Sequence, residues 1–490
     1  MRPCEIDPGL SAPPRTLFER LARAPGSFWI DGGEDGVSFL SALPDSRLRV
    51  ARDGAVLEDP GHERRAGDVD PVDAIEDFVA RATSRHAPGI TPRVVAALAF
   101  DLAPLVERHM AVAHDPSGDR LPLAVLSRYP AVAACRRDGA SGRWSTVVEA
   151  DDEASGRRLV QLLAGDAPRG REDRGAAAAD VSIVEAPDGD RYRQAIETAR
   201  GLIAAGDLYL VNLAQRYVLD GIDDPARVFL ALREAQPVPL GAWFDTGSAL
   251  LFSNSPERFL RVRGGTIETE PIKGTRPRGA TPREDEALRR ELAADEKERA
   301  EHVMTVDLER NDLGRVCRPG TVVVPSLLRI ETFATLHHLV STVRGELRAD
   351  VGLADVVRAT FPGGSVTGAP KIRATQVIAS LEERARGFYT GAIAWFRGPL
   401  DFDSSIAIRT AIVRGGRLEY PVGAGIVADS DAEREHRECR LKAAALLRAA
   451  GAPETAVVGA SVDAPVGREP ARGDAAPALP SARGSARGAS

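Results

Sequence analysis

Only four lysines, Lys273, Lys297, Lys371 and Lys442, stand among the 64 basic residues of the 490-residue chain. The remaining 60 are arginines. A guanidinium stays protonated, whereas a lysine amine can lose its proton to its surroundings and act as a nucleophile. Where arginine serves for generic charge, each retained lysine is a candidate for chemistry, with chance survival as the plain alternative. In Thr269-Glu270-Pro271-Ile272-Lys273-Gly274-Thr275, the amine of Lys273 would be held at a strand exit. Gly274 would let a substrate approach the backbone. Taken alone, the string reads rather as a surface turn with a solvated lysine. Glu298 and Glu301 are three apart and share a helix face, and Glu435 and Glu438 repeat the spacing with Lys442 four residues on. Two solvated faces would explain these pairs. So would two pairs facing each other across a cavity and bracketing Mg²⁺, which accepts a few carboxylates and leaves other positions for substrate. Lys442 beside them would suit a substrate carboxylate.

Other strings are weaker. Phe361 to Lys371 spaces Gly363 and Gly368 like a phosphate loop, but Ala369-Pro370 replaces the residues that would contact phosphate and metal, so a structural loop before a helix is expected. Gly423-Ala424-Gly425-Ile426-Val427-Ala428 matches a dinucleotide pattern. The short stretch after it cannot build the rest of that fold. Asp429, Ser430 and Asp431 also bring negative charge where a pyrophosphate would dock. A tight turn whose free N–H groups contact an anionic substrate group is the reading adopted. Arg409, read as part of an alternating strand, would face a cavity and grip a carboxylate with two prongs. His338 lies in an apolar run and is either a packed histidine or a catalyst. Glu257 starts a strand and could be a general acid if burial raises its pKa. Tyr389 precedes Thr390-Gly391 without a decisive pattern.

The elements that must position these residues follow from periodicity. Residues 192–205 read as a helix ended by Gly206, and 208–218 as an alternating strand. Strands are predicted at 249–253, 259–263, 266–270 and 417–422. Thr281-Pro282-Arg283-Glu284 and Ser430-Asp431-Ala432-Glu433 are helix-opening capping boxes, the second helix running to about Arg448. Residues 1–150 carry short apolar runs and form an N-terminal portion of the fold. Residues 151–186 read as a linker or surface excursion, 187–450 as the catalytic region and 451–490 as a disordered tail. Irregular alternation of strands and helices favours α+β over a doubly wound sheet.

The formal net charge is 64 − 71 = −7. That acidic balance argues against a nucleic-acid binder. No apolar window is long enough for a spanning helix, so no membrane is expected. The first ten residues do not read as a secretory signal. Cys4, Cys135, Cys317 and Cys439 are scattered, so zinc and a disulfide framework are not expected, and a reducing cytoplasm is the default location.

From about residue 190 to 450 the chain resembles the chorismate-utilising enzymes. The strings are SPERF at Ser255, PIKGTRPRG at Pro271, ERAEHVMTVDLERNDLGRV at Glu298, HLVSTVRG at His338, FPGGSVTGAPK at Phe361, YTGAIAW at Tyr389, AIRTA at Ala407 and GAGIVADSDAEREHRECRLK at Gly423. The resemblance implies two crossed antiparallel β-sheets with helices packed outside and the site between them. The PIKGT form, where anthranilate synthases usually carry PIAGT, resembles the large subunit (component I) of aminodeoxychorismate synthases, which serve 4-aminobenzoate and folate synthesis. Anthranilate synthase component I is the alternative. By this resemblance Lys273 attacks C2 of chorismate, ammonia attacks C4 and expels the lysine, Glu257 protonates the leaving hydroxyl and His338 sits near the C4 oxygen. Glu301 and Glu438 would be the main Mg²⁺ ligands, with Glu298 and Glu435 beside them. Gly274 and Thr275 would line the pocket. Tyr389, Arg409, Lys442 and the Gly423–Gly425 backbone would hold the substrate carboxylates.

The sequence departs from the family pattern at three points. Leu210 stands where water-adding members carry Lys and amide-forming members usually Gln, which argues against an isochorismate or salicylate synthase. The Leu-Leu-Glu-Ser string of tryptophan-regulated members is absent, its nearest counterpart being Phe28-Trp29-Ile30-Asp31-Gly32-Gly33. No Gly-x-Cys-x-Gly elbow is present, so glutamine hydrolysis would need a separate glutamine amidotransferase subunit.

Overall fold

In the strand Ala392–Gly398, Ile393 and Trp395 point into one core while Ala392, Ala394 and Phe396 point into another. This two-residue period is that of a strand buried on both faces. The computed structural model describes residues 4–32, 36–59, 62–64, 69–84, 89–114, 121–165 and 181–453. Among them, two 12-stranded sheets are formed. The core between the sheets joins Phe28, Ile30, Phe244, Leu251 and Ile412 of the first to Val95, Ala97, Ile393 and Trp395 of the second. Outside the first sheet, Ile196, Leu232, Val377 and Leu446 bring helices onto Trp29, Val211, Leu213 and Tyr420. Outside the second, Ile75, Phe78, Val306 and Val356 do the same. Each large side chain so buried stabilises the fold by about 1.5–3 kcal/mol. The layers are thus helix, sheet, sheet, helix, as the α+β expectation of paired antiparallel sheets required.

The N-terminal portion is woven into both sheets. Phe28–Ile30 pairs with Ala242–Asp245 in the first, and Val94–Leu98 with Ala392–Gly398 in the second. Of the stretch 151–186, Glu153–Ala164 is helix and Ser182–Glu185 an edge strand, while 166–180 lies outside the described residues. The tail expected over 451–490 lies outside them from 454 onward. No helix among the described residues is long and apolar enough to cross a membrane.

Two of the chain's passages from one sheet to the other serve the site. Residues 254–257 link Leu250–Ser253 of the first sheet to Arg258–Arg263 of the second. Residues 407–409 link Asp401–Ile406 of the second to Thr410–Arg414 of the first. The passages are tied together: Asn254 N donates to Arg409 O at 3.0 Å and Ile406 N to Glu257 O at 3.0 Å. Arg409 therefore does not lie within a strand, as its alternating neighbours suggested. It sits at the crossing, in the left-handed region at φ 49°.

Two further expectations need correction. Gly423 and Gly425 form no turn; they lie inside the strand Arg417–Ile426, opposite Ala214 and Asn212 of Leu210–Asp220. The strand runs on through both glycines because a long antiparallel partner supplies its hydrogen bonds. At the last helix, Ala432–Ala450, the cap is Asp431 rather than Ser430: its carboxylate accepts from Arg434 N at 2.9 Å. Ser430 instead donates to Glu435 Oε1 at 2.9 Å. The other cap stands, with Thr281 Oγ1 accepting from Glu284 N at 3.2 Å.

Candidate active site

Lys273 lies on the strand Ile272–Pro277, paired with Leu336–Glu346. Lys273 faces Leu339 and Thr275 faces His338, so Gly274 is an extra residue bulged from the ladder. Its φ of 68° belongs to the left-handed region that favours glycine. A Cβ there would come within 2.9 Å of Leu292 Cδ1 and 3.2 Å of Glu298 Oε2. The Lys273 amine donates to Ser365 O at 3.0 Å. Ser365 belongs to the short turn Gly364–Val366 of the glycine-rich loop, which leads into the helix Lys371–Leu381 as expected. A Cβ on Gly425 would lie 3.6 Å from Lys273 Nζ, and one on Gly423 would lie 3.0 Å from Tyr389 Oη. The two glycines are two apart and face the same way. They make a floor without side chains in the first sheet, beneath an amine from the second.

At the sheet crossing, Glu257 is buried. Burial raises its pKa, against Ser365, Lys273, the Ile272 N–H and Arg409. Arg409 is half-buried; burial lowers its pKa against the pull of Tyr420 and Glu257. Its buried Nη1 has no hydrogen-bond partner among the described residues. An unpaired guanidinium nitrogen in such surroundings is costly, and a bound carboxylate would satisfy it. His338 Nδ1 lies 3.0 Å from Thr275 Oγ1 and 3.2 Å from Gly274 O. Burial, with Arg409 and Lys442 nearby, pushes its pKa down to about 4, so the ring is neutral at neutral pH. With the Nδ1 proton given to Gly274 O, Nε2 is left as an acceptor.

The two carboxylate pairs do face each other, on Glu296–Gly314 and Ala432–Ala450. Lys297 joins them, with Nζ 3.2 Å from Glu435 Oε1 and 3.7 Å from Glu301 Oε1. Burial, reinforced by Glu298 and Glu435, pushes Glu301 up to about 7 although Lys273 and Lys297 oppose it. Burial and Glu438 likewise raise Glu298. Lys442, 2.6 Å away, holds Glu438 below the usual carboxylate range and also donates to Gly423 O at 2.9 Å. Among the described residues no three acidic, His or Cys side chains converge closely enough to enclose an ion. The donor chemistry nonetheless fits a hard divalent cation. These are oxygen ligands with excess negative charge, and the raised pKa values of Glu298 and Glu301 are the strain such an ion would relieve.

All the residues singled out for chemistry therefore fall in one region, from Lys273 and Glu257 to Lys442. A separate cavity of about 250 Å³, lined by Tyr192, Gln215, Glu382 and Arg386 among others, contains none of them. Sequence reasoning missed His302, buried with Nε2 2.7 Å from Ser341 Oγ. It also missed Glu309 and Asp312 behind the glycine-rich loop, and gave Lys371, one of the four lysines, no role there. The available signals were their places in strings already noted, and for Lys371 the rarity of lysine.

Residues 27–448 match the family of chorismate binding enzymes. The chain is 47% identical over 309 residues to aminodeoxychorismate synthase of Streptomyces griseus; the match covers 62% of this chain and 43% of that protein, under half its length. To anthranilate synthase component 1 of Mycolicibacterium smegmatis it is 36% identical over 475 residues, covering 91% of this chain and 90% of the relative. The crystal structure of anthranilate synthase component I from Streptococcus pneumoniae matches with a TM-score of 0.72 at 30% identity, covering 84% of this chain and 92% of that one. Two antiparallel sheets under outer helices, with this site at their crossing, place the chain in the chorismate binding enzyme family.

Proposed function

We propose that the chain is a component I of aminodeoxychorismate synthase, joining ammonia to C4 of chorismate to give 4-amino-4-deoxychorismate. One observation carries this reading: an amine, Lys273 Nζ, faces the Gly425 floor within electrostatic reach of Glu257. A chorismate amination that placed nitrogen at C2 directly would need no amine there.

In this reading the neutral Lys273 amine bonds to C2, the ring double bond shifts, and the C4 hydroxyl leaves as water with a proton from Glu257. Ammonia then bonds to C4, the double bond shifts back, and the C2–lysine bond breaks. The proton lost by the new amine restores Glu257. A covalent adduct divides a displacement that ammonia performs poorly in one step. Arg409 Nη1 is an open donor for one substrate carboxylate, and Lys442 and Tyr389 stand at the same floor. His338, neutral, accepts a hydrogen bond near the C4 oxygen. Glu298, Glu301, Glu435 and Glu438 would hold Mg²⁺, which when bound supplies positive charge for the ring carboxylate. Ammonia would come from a separate glutaminase subunit.

The test is the product formed from chorismate, Mg²⁺ and ammonium chloride. A product that yields 4-aminobenzoate only after a lyase is added supports the proposal. Fluorescent anthranilate with release of pyruvate would reject it in favour of anthranilate synthase component I.

A further inference from the structure

Beside the glycine floor stands one polar side chain that the proposed reaction leaves idle. Asn212 lies on the strand Leu210–Asp220, opposite Gly425, and is buried. Its main chain is pinned on both sides. Asn212 N donates to Thr367 O at 2.8 Å, and Asn212 O accepts from Arg386 Nη2 at 2.7 Å. Thr367 follows closely on Ser365, whose carbonyl receives the Lys273 amine. The side-chain Oδ1, by contrast, is buried with no hydrogen-bond partner among the described residues. That oxygen is at the floor itself: a Cβ on Gly423 would lie 3.0 Å from Asn212 Oδ1 and 3.0 Å from Tyr389 Oη. Two residues earlier, on the same face of the strand, Leu210 brings only carbon. Its Cδ1 lies 3.3 Å from a Cβ on Gly425, the point that Lys273 Nζ approaches to 3.6 Å. The strand therefore presents an apolar surface at the Lys273 end of the floor and a lone acceptor at the Tyr389 end.

A buried acceptor without a partner is costly, and a ligand that supplies a donor removes the cost. Chorismate offers few donors. Its two carboxylates and its enol ether only accept, and its one donor, the C4 hydroxyl, is met by His338 in the proposed reaction. The other reactant is ammonia, which carries three N–H donors around a single lone pair. A hydrogen bond from one N–H to Asn212 Oδ1 fixes the nitrogen and leaves the lone pair free to turn toward carbon. With C2 held at Lys273 beside Gly425, C4, two atoms along the ring, can lie toward Gly423. At the other end of the floor, Leu210 offers a nucleophile nothing to bind beside C2.

We propose that Asn212 binds the ammonia nucleophile, its Oδ1 accepting one N–H so that the nitrogen lone pair faces C4. The amide takes no proton and forms no covalent bond. Ammonia waits in this contact until the C4 hydroxyl has left. Once the N–C4 bond forms and the C2–lysine bond breaks, the surplus proton on nitrogen goes to Glu257 as before, and Oδ1 keeps its hydrogen bond to the product amine. This inference rests on amination at C4 as proposed above.

The experiment measures, at one pH and with Mg²⁺ present, kcat/KM for ammonia at saturating chorismate and kcat/KM for chorismate at saturating ammonium chloride. Asn212→Leu, close to the same shape, removes the acceptor, and Asn212→Asp keeps one. In Asn212→Leu the ammonia value is expected to fall about tenfold, the worth of one hydrogen bond, while the chorismate value stays at that of the parent. Asn212→Asp should keep most of the ammonia value. A merely structural role would lower both values together; that result, or an unchanged ammonia value in Asn212→Leu, overturns the proposal. So does an Asn212→Asp protein that loses as much ammonia turnover as Asn212→Leu, and this variant decides alone if Asn212→Leu does not fold. The product made by the parent separates the inference from the reading beneath it. Anthranilate overturns both. With 4-amino-4-deoxychorismate as the product and the ammonia value unmoved in Asn212→Leu, only the Asn212 assignment has failed.

Discussion

Gly274→Ala tests whether the bulge at residue 274 is what aims the amine. An alanine held at φ 68° sits in the left-handed region, at a cost of about 1–2 kcal/mol. Its Cβ would also press on Leu292 Cδ1 at 2.9 Å, a side chain with no exposed surface to retreat into, and on Glu298 Oε2 at 3.2 Å. Overpacking of that kind adds about 1–3 kcal/mol. The sum, about 2–5 kcal/mol, should appear in urea unfolding of the whole chain. The strand can escape this strain only by absorbing the extra residue, which turns Thr275 and its successors to the opposite face. Thr275 would then lose its 3.0 Å contact with His338, and Lys273 would leave Ser365. A misplacement of about 1 Å at a reacting group costs about 100-fold in rate, so amination by the folded variant should drop by more than tenfold. Gly265→Ala is the control. Its φ of 77° is equally left-handed, but a Cβ there meets nothing within 4 Å. It should lose only the backbone part of the stability and none of the rate. A Gly274→Ala protein as stable as that control, with the parent rate, would show the reasoning to be wrong.

Four other outcomes follow from the same geometry. Lys273→Ala should slow amination severely or divert the product toward anthranilate, and unchanged turnover in a product assay would remove the nucleophile from the proposal. Glu301→Ala should abolish both activity and its Mg²⁺ dependence; an active variant that tolerates EDTA contradicts the metal assignment. Lys371→Met should leave Asp312 unpaired in the core and destabilise the protein by about 3–5 kcal/mol, most of it recovered in the double variant with Asp312→Asn, and urea midpoints decide the matter. His338 has a folded pKa near 4, below that of a free imidazole, so the unfolded chain binds its proton first and this contribution to stability is lost as pH falls from about 6.5 toward 4. His338→Gln should flatten that part of the stability curve, and an unaltered curve would refute the assignment.

The class of fold was legible because its signals are local. Alternation in 208–218 and the glycine after 205 report a strand and a helix end wherever those segments dock, and the structure has Leu210–Asp220 and Gly189–Ala204 there. Crossing from one sheet to the other leaves no such mark. The alternating neighbours of Arg409 look the same whether the residue is mid-strand or at a corner, and only the partners of 401–406 and 410–414 distinguish the two. The glycines at 423 and 425 misled for a related reason. Glycine signals either a turn or a close approach, and the choice was made by Leu210–Asp220, about 200 residues earlier in the chain, whose pairing keeps the segment extended.

The lysines carry this argument furthest. Counting them pointed to the site without revealing why arginine fails there, and the coordinates show three kinds of setting with one common reason. Lys273 reaches a single carbonyl across a floor with no side chains. Lys297 lies between two glutamates of facing helices. Lys442 touches a carboxylate and a backbone oxygen together, and Lys371 does so in the core. In each case a compact ammonium meets one or two oxygens at a point, where a planar guanidinium with five donors would leave several unsatisfied in a confined space. The two glutamate pairs were legible as pairs because three-residue spacing fixes a helix face. That they oppose each other depended on two helices more than a hundred residues apart being laid side by side. Glu309 escaped notice because on a helix it resembles any solvated acid. Its burial comes from a loop and a threonine that only the closed fold brings around it.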